Sequence, residues 1–148
     1  MISMQRRRWA LVISLVVVSG FWLVRHHYSP ANPEVYFTAQ RAQELTSFAE
    51  KMVSDRHLLS LSVRRRSPRI SRVGTDGDDG VNWTTETAVF LARTRFDGLL
   101  FVRSGSTLRF GYRWLRWTTV YSYLPFETRR PERSILLYGR WVVSREGS

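Results

Sequence analysis

Hydrophobic positions along the chain follow three regimes, and each predicts a different element. The first is continuous. Trp9 to Val24 (WALVISLVVVSGFWLV) runs sixteen residues without a charge, broken only by Ser14, Ser19 and Gly20. Arg6, Arg7 and Arg8 precede it, and Arg25, His26 and His27 follow. A helix of this length rises about 24 Å, against about 30 Å of hydrocarbon in a bilayer. The flanking arginines can snorkel and Trp9 and Trp22 can sit at the two interfaces, so the run predicts a single transmembrane signal anchor. Trp9, Leu15, Val17, Phe21 and Trp22 are its anchor residues. A cleaved secretory signal would share the charged start and apolar middle, but no A-x-A-like site follows Val24. Three arginines in the short head favour a cytoplasmic or matrix N-terminus, with the remaining domain on the far side.

The second regime has a period near 3.6. Ser29 to Glu34 forms a stalk in which Asn32 is a candidate N-cap and Pro33 a first helical residue. From Val35 to about Arg56, the residues Ala42, Leu45, Phe48, Ala49, Met52 and Val53 recur at helical spacing. They predict one amphipathic helix with a buried stripe. The third regime has a period of 2. Leu59, Leu61 and Val63 alternate with serines and Arg64, and Ile70 and Val73 suggest a second short strand before a Gly74–Gly80 loop. Thr85 to Phe96 alternates as a strand, Asp97-Gly98 reads as a two-residue hairpin turn, and Leu99 to Arg103 as the returning strand. Leu108, Phe110, Tyr112 and Trp114 alternate next. The apolar set then shifts to odd positions from Leu115, which predicts a bulge or bend near Trp114–Arg116. A last strand runs from Ser134 to Val143, interrupted at Gly139. The organisation is a basic head at 1–8, the anchor at 9–24, a stalk at 25–34 and a soluble domain at 35–148. The fold class is α+β: a transmembrane helix, then one amphipathic helix packed on an antiparallel β-sheet.

Composition narrows the chemistry. There are no cysteines, which excludes disulfides, thiolate catalysis and Cys-ligated metal centres. Six Trp, six Tyr and eight Phe are enough to fill a core. Net charge is +11; with the head's three arginines set aside the domain side is still strongly basic. A basic domain beside a membrane suits anionic headgroups or an acidic protein partner, and the span makes nucleic acid a poor fit. Arg64, Arg65, Arg66, Arg69 and Arg72 concentrate this charge. They read either as a docking patch for anionic lipid or a protein partner, or as a solvated strand face paired with Asp76–Asp79.

Other candidates are weaker. His57 stands without the Cys, Ser or carboxylate spacing that a metal or catalytic role needs. Asp76, Asp78 and Asp79 do not match a calcium loop, whose sixth position must be glycine and whose twelfth is Glu; counted from Asp76 these are Val81 and Thr87. Asn82-Trp83-Thr84 is a glycosylation triplet by pattern alone. Arg109, Arg113 and Arg116 interleave with Tyr112, Trp114 and Trp117 as on sheets that stack nucleobases, but strand alternation predicts that the rings face the core. No catalytic residue, metal site or cofactor is expected.

The layout of basic head, span, amphipathic helix and hairpins resembles the cytochrome c oxidase assembly factor 1 family, related in fold to a small accessory subunit of the mitochondrial presequence translocase. Ala88 to Val102 (AVFLARTRFDGLLFV), followed by Gly111-Tyr112-Arg113-Trp114, carries the likeness as strand, turn, strand and Gly/Trp strand. The resemblance implies the mitochondrial inner membrane, a domain in the intermembrane space and a non-enzymatic role in assembling a respiratory complex. A bacterial inner-membrane protein with a periplasmic binding or immunity-type domain is the alternative.

Overall fold

Two polar caps decide where the domain's helices begin. Thr38 Oγ1 accepts a hydrogen bond from Arg41 N at 3.3 Å, and Asn82 Oδ1 accepts one from Thr85 N at 3.1 Å. The computed structural model describes residues 4–65, 72–75 (backbone only), 82–127 and 129–147. Helix α1 spans Met4–His27, α2 Pro33–Tyr36, α3 Ala39–Ser54 and α4 Trp83–Thr94. The strands are β1 Leu58–Arg64, β2 Arg72–Thr75, β3 Gly98–Val102, β4 Thr107–Trp114, β5 Trp117–Tyr123, β6 Ile135–Leu136 and β7 Trp141–Gly147. They form one antiparallel sheet in the order β2-β1-β3-β4-β5-β7-β6. The chain is therefore α+β, with an apolar helix ahead of a sheet-and-helix domain.

The sheet carries two helices, because Thr85 to Phe96 is not a strand. The residues it buries are Trp83, Thr87, Phe90, Leu91 and Thr94, one face of a helix. Arg95 ends that helix in the left-handed region at φ 65°. Asp97-Gly98 accordingly leads into β3 rather than closing a hairpin. The helix expected over Val35–Arg56 is likewise two, parted at Phe37-Thr38. Asn32 precedes α2 without a side-chain capping bond. At Trp114–Arg116 the phase change is a hairpin turn, not a bulge: Trp114 pairs with Trp117 across Leu115-Arg116. The irregularity in β1 lies between Leu58 and Ser60 instead, which turns Leu59 outward while Leu58 and Leu61 are buried. The last strand divides into β6 and β7. Gly74 and Thr75, expected to open a loop, belong to β2, and the rest of that loop, with Asp76–Asp79, lies outside the described residues.

Alternation sends Leu61, Val63, Leu99, Phe101, Leu108, Phe110, Tyr121, Tyr123, Trp141 and Val143 into one core with the buried stripes of α3 and α4. Phe48 of α3 stacks on Phe90 of α4 with centroids 3.9 Å apart, and Trp141 Nε1 donates to Thr46 Oγ1 at 3.0 Å. The start of β1 is pinned by Asp55, which accepts from Trp83 Nε1 at 2.6 Å and from His57 N at 3.1 Å. The Trp83 bond foremost holds the Asp55 carboxyl below its usual pKa. A depressed folded pKa adds stability above the unfolded value, and that stability disappears as pH falls through the folded one. Asp55→Asn is therefore expected to lower Tm at pH 7 and to converge with the parent once the pH has fallen through the depressed pKa of the folded carboxyl. Parallel acid titrations followed by circular dichroism would check this.

Candidate membrane and partner surfaces

Helix α1 is long and apolar enough to cross a membrane: 24 residues, mean hydropathy 1.7, with none of its apolar window buried against the protein. Trp9, Leu15, Val17 and Phe21 are 63%, 70%, 63% and 69% exposed, while Trp22 falls to 48%. The reason for that drop is local. The Trp22 and Trp114 ring centroids are 4.7 Å apart, and His26 stacks on Trp114 at 4.3 Å. The end of α1 therefore packs against the end of β4.

The stalk at 25–34 is not a loose tether. Ser29 N and Oγ both donate to His26 O, at 3.1 and 2.6 Å, continuing the helix end into a turn. Ser29 and Ala31 are buried. Tyr121 Oη donates to Pro30 O at 2.8 Å, and Arg145 Nη2 to Ala31 O at 3.3 Å. Burial pushes the Tyr121 phenol far above its usual pKa, so it remains a neutral donor throughout the physiological range. The direction in which α1 leaves the domain is set by β5 and β7.

The second surface is the sheet face away from α3 and α4. Register brings Arg64, Arg109 and Arg113 around a shallow recess of about 900 Å³, floored by Gly98, Leu100, Gly111, Thr118 and Val120. Asp97 and Glu146 are its acidic members. Arg109 is already engaged: its Nε and Nη2 donate to Glu127 at 2.9 and 3.2 Å. That carboxylate raises the guanidinium's pKa still further. Arg64 and Arg65 are both exposed at the end of β1, and Arg65 N donates to Asp97 O at 2.8 Å. The structure thus joins Arg64 to two arginines of β4 that are remote in sequence. Arg66 and Arg69 lie outside the described residues, and Arg72 is placed in β2 by its backbone only.

The aromatic rings of β4 and β5 divide. Tyr112 packs against the core, as alternation predicts. Trp114 sits against α1, and Trp117 is 53% exposed, so neither is a core ring. Strand parity identified the correct face of the sheet, but both residues lie beyond the reach of the covering helices. His57 begins the turn into β1, held through its backbone by Asp55. Among the described residues, no three His, Asp or Glu side chains gather as a metal site would require.

No family model, curated protein or solved structure matches the chain.

Proposed function

We propose that this chain is a single-pass membrane protein that acts by binding, with a basic α+β domain held close against the bilayer and offering its open sheet face to a protein partner. The observation that carries this reading is the pairing of an exposed apolar helix with a buried, hydrogen-bonded turn, because it fixes the domain to the span instead of letting it swing. Arg64 and Arg113 around the recess suit an acidic segment of that partner. The resemblance to cytochrome c oxidase assembly factor 1 makes the partner a subunit of a respiratory complex in the mitochondrial inner membrane, with the domain in the intermembrane space. A bacterial inner-membrane protein with a periplasmic binding domain is a second reading. It is retained because Ala88 to Val102, the segment carrying the resemblance, is helix, turn and strand rather than two strands, which weakens the likeness behind the first reading.

Crosslinking pull-down of the full chain from its native membranes, read by mass spectrometry, separates these. Recovery of respiratory subunits supports the assembly role; recovery of envelope components alone moves the domain to the periplasm. Recovery of the chain by itself counts against both. Changing Arg64, Arg65 and Arg66 together to Glu is expected to abolish capture while leaving the circular dichroism spectrum unchanged. Undiminished capture would remove this patch from the interface.

A further inference from the structure

We propose that the tip of the β4–β5 hairpin is a second membrane contact. Leu115 and Trp117 enter the interfacial layer of the bilayer that α1 crosses, while Arg25 and Arg95 meet anionic phospholipid headgroups. This rests on the reading of α1 as a span and adds to it a surface of the folded domain.

The depth of the tip follows from contact. Trp22 belongs to the apolar run and lies near the end where Arg25 begins the polar flank, which is where tryptophans of a span reside. Trp114 lies against Trp22 at 4.7 Å and against His26 at 4.3 Å, so the end of β4 shares their depth. The hairpin then turns through Leu115, the next residue, which is 77% exposed. Among the described residues, no other large hydrophobic residue of the domain shows so much of its surface. Trp117 rests one side of its ring on Gly147 and leaves about half of itself uncovered.

Backbone conformation points the same way. Leu115 has φ 53°, at the first of two central positions of a tight hairpin, where glycine is the ordinary choice. A leucine there is strained and exposed at once, an outlier that stability alone does not select. In a bilayer interface its side chain would be immersed.

The charges complete the match. Phe21, Val24, Arg25 and Tyr28 of the α1 end, with Arg95 at the end of α4, line a recess that sets apolar side chains beside two guanidinium groups. Apolar surface and cations side by side suit a phospholipid, whose acyl chains and anionic phosphate adjoin.

The chain contains no cysteine, so single-cysteine spin labels can be read without background. Three are needed in the full-length protein, at one copy per nanodisc of mixed phosphatidylcholine and phosphatidylglycerol. Leu15→Cys reports the span and Leu115→Cys the hairpin. Ser104→Cys reports the opposite end of β4, about 23 Å away at the rise of a strand. The expected result is a Leu115→Cys label several-fold less accessible to an aqueous nickel reagent than Ser104→Cys, and more accessible to oxygen. A Leu115→Cys label as wet as Ser104→Cys, with Leu15→Cys immersed, would overturn the hairpin contact and leave the anchor intact. A wet Leu15→Cys would overturn the anchor itself. Shielding of Leu115→Cys only in discs holding two copies would assign the tip to a second chain and overturn the lipid assignment. Replacing Arg25 and Arg95 by Glu is expected to raise the tip toward water in the anionic discs; an unchanged depth would remove the headgroup contacts.

Discussion

Replacing Arg103 by alanine is expected to destabilise the domain by about 3 kcal/mol, a fall in Tm of roughly 10 °C for a domain of this size. Arg103 stands at the end of β3, yet its guanidinium reaches the C-terminus of α3. Nη2 donates to the carbonyls of Asp55, Val53 and Met52 at 2.8, 3.1 and 3.4 Å, and Nε donates to Leu58 O at 2.9 Å. The Met52 and Val53 carbonyls, in the last turn of α3, would otherwise be unpaired acceptors of a helix end, whereas Asp55 O also accepts from Leu58 N at 3.1 Å; the positive charge further complements the negative end of the helix dipole. Each charge-assisted bond is worth about 1.5–3 kcal/mol. Their sum is not expected, because the site is only half-buried and water replaces part of what is lost. Arg103→Lys retains the charge but presents one compact donor group in place of a planar fork, so it should recover less than half of the loss. Urea denaturation of the full chain in detergent measures both; a loss below about 1 kcal/mol for alanine would show that water caps α3 equally well.

That bridge joins β1, β3 and α3 across about fifty residues of sequence, and it illustrates what a linear reading misses. The α+β class, the apolar helix, the stripe of α3 and the strands from Leu99 to Trp114 were legible because their periods are uninterrupted. Helix α4 was not. Three of its first five residues are threonine, and two of its five buried positions are Thr87 and Thr94, which count as strand-forming and polar rather than as core. Phe90 and Phe96 satisfy a period of 2 by coincidence. The cap was present in Asn82, but it also matches a glycosylation triplet and gave no distinct signal. Leu115 concealed the β4–β5 turn for a related reason: a residue that disfavours positive φ occupies the position where glycine would have announced it.

The candidate surfaces were legible in part. Arg64 was apparent as one of a dense run, but its neighbours across the recess come from β4. They are brought there by pairing of β1 with β3 and of β3 with β4, after the intervening β2 and α4. No local pattern records that juxtaposition. Trp114 and Trp117 were assigned to the core because alternation specifies a face and says nothing about how far along the strand the covering helices extend.

Arg109→Met alone should cost about 3–5 kcal/mol, whereas Arg109→Met combined with Glu127→Gln should cost markedly less. The Glu127 side chain is 3% exposed, and its other recorded contact is a long bond from Leu108 N at 3.3 Å. Without Arg109 the carboxylate is left buried and nearly uncompensated, and that desolvation, rather than the lost attraction, sets the size of the effect. Arg109 is itself 37% exposed, so solvent screens part of the pair and the lower end of the range is expected. The double variant removes both charges and retains polar contact to Leu108 N, which is why the two effects should be strongly non-additive. Denaturation of the four proteins of the cycle measures the coupling, and additivity would show that Glu127 reaches water. The cycle also separates fold from function on the open face. Because Arg109 is bound to Glu127, the recess presents Arg64 and Arg113 to a partner, and the double variant should still capture that partner where charge reversal at Arg64 does not. Loss of capture in the double variant would instead make Arg109 part of the binding surface.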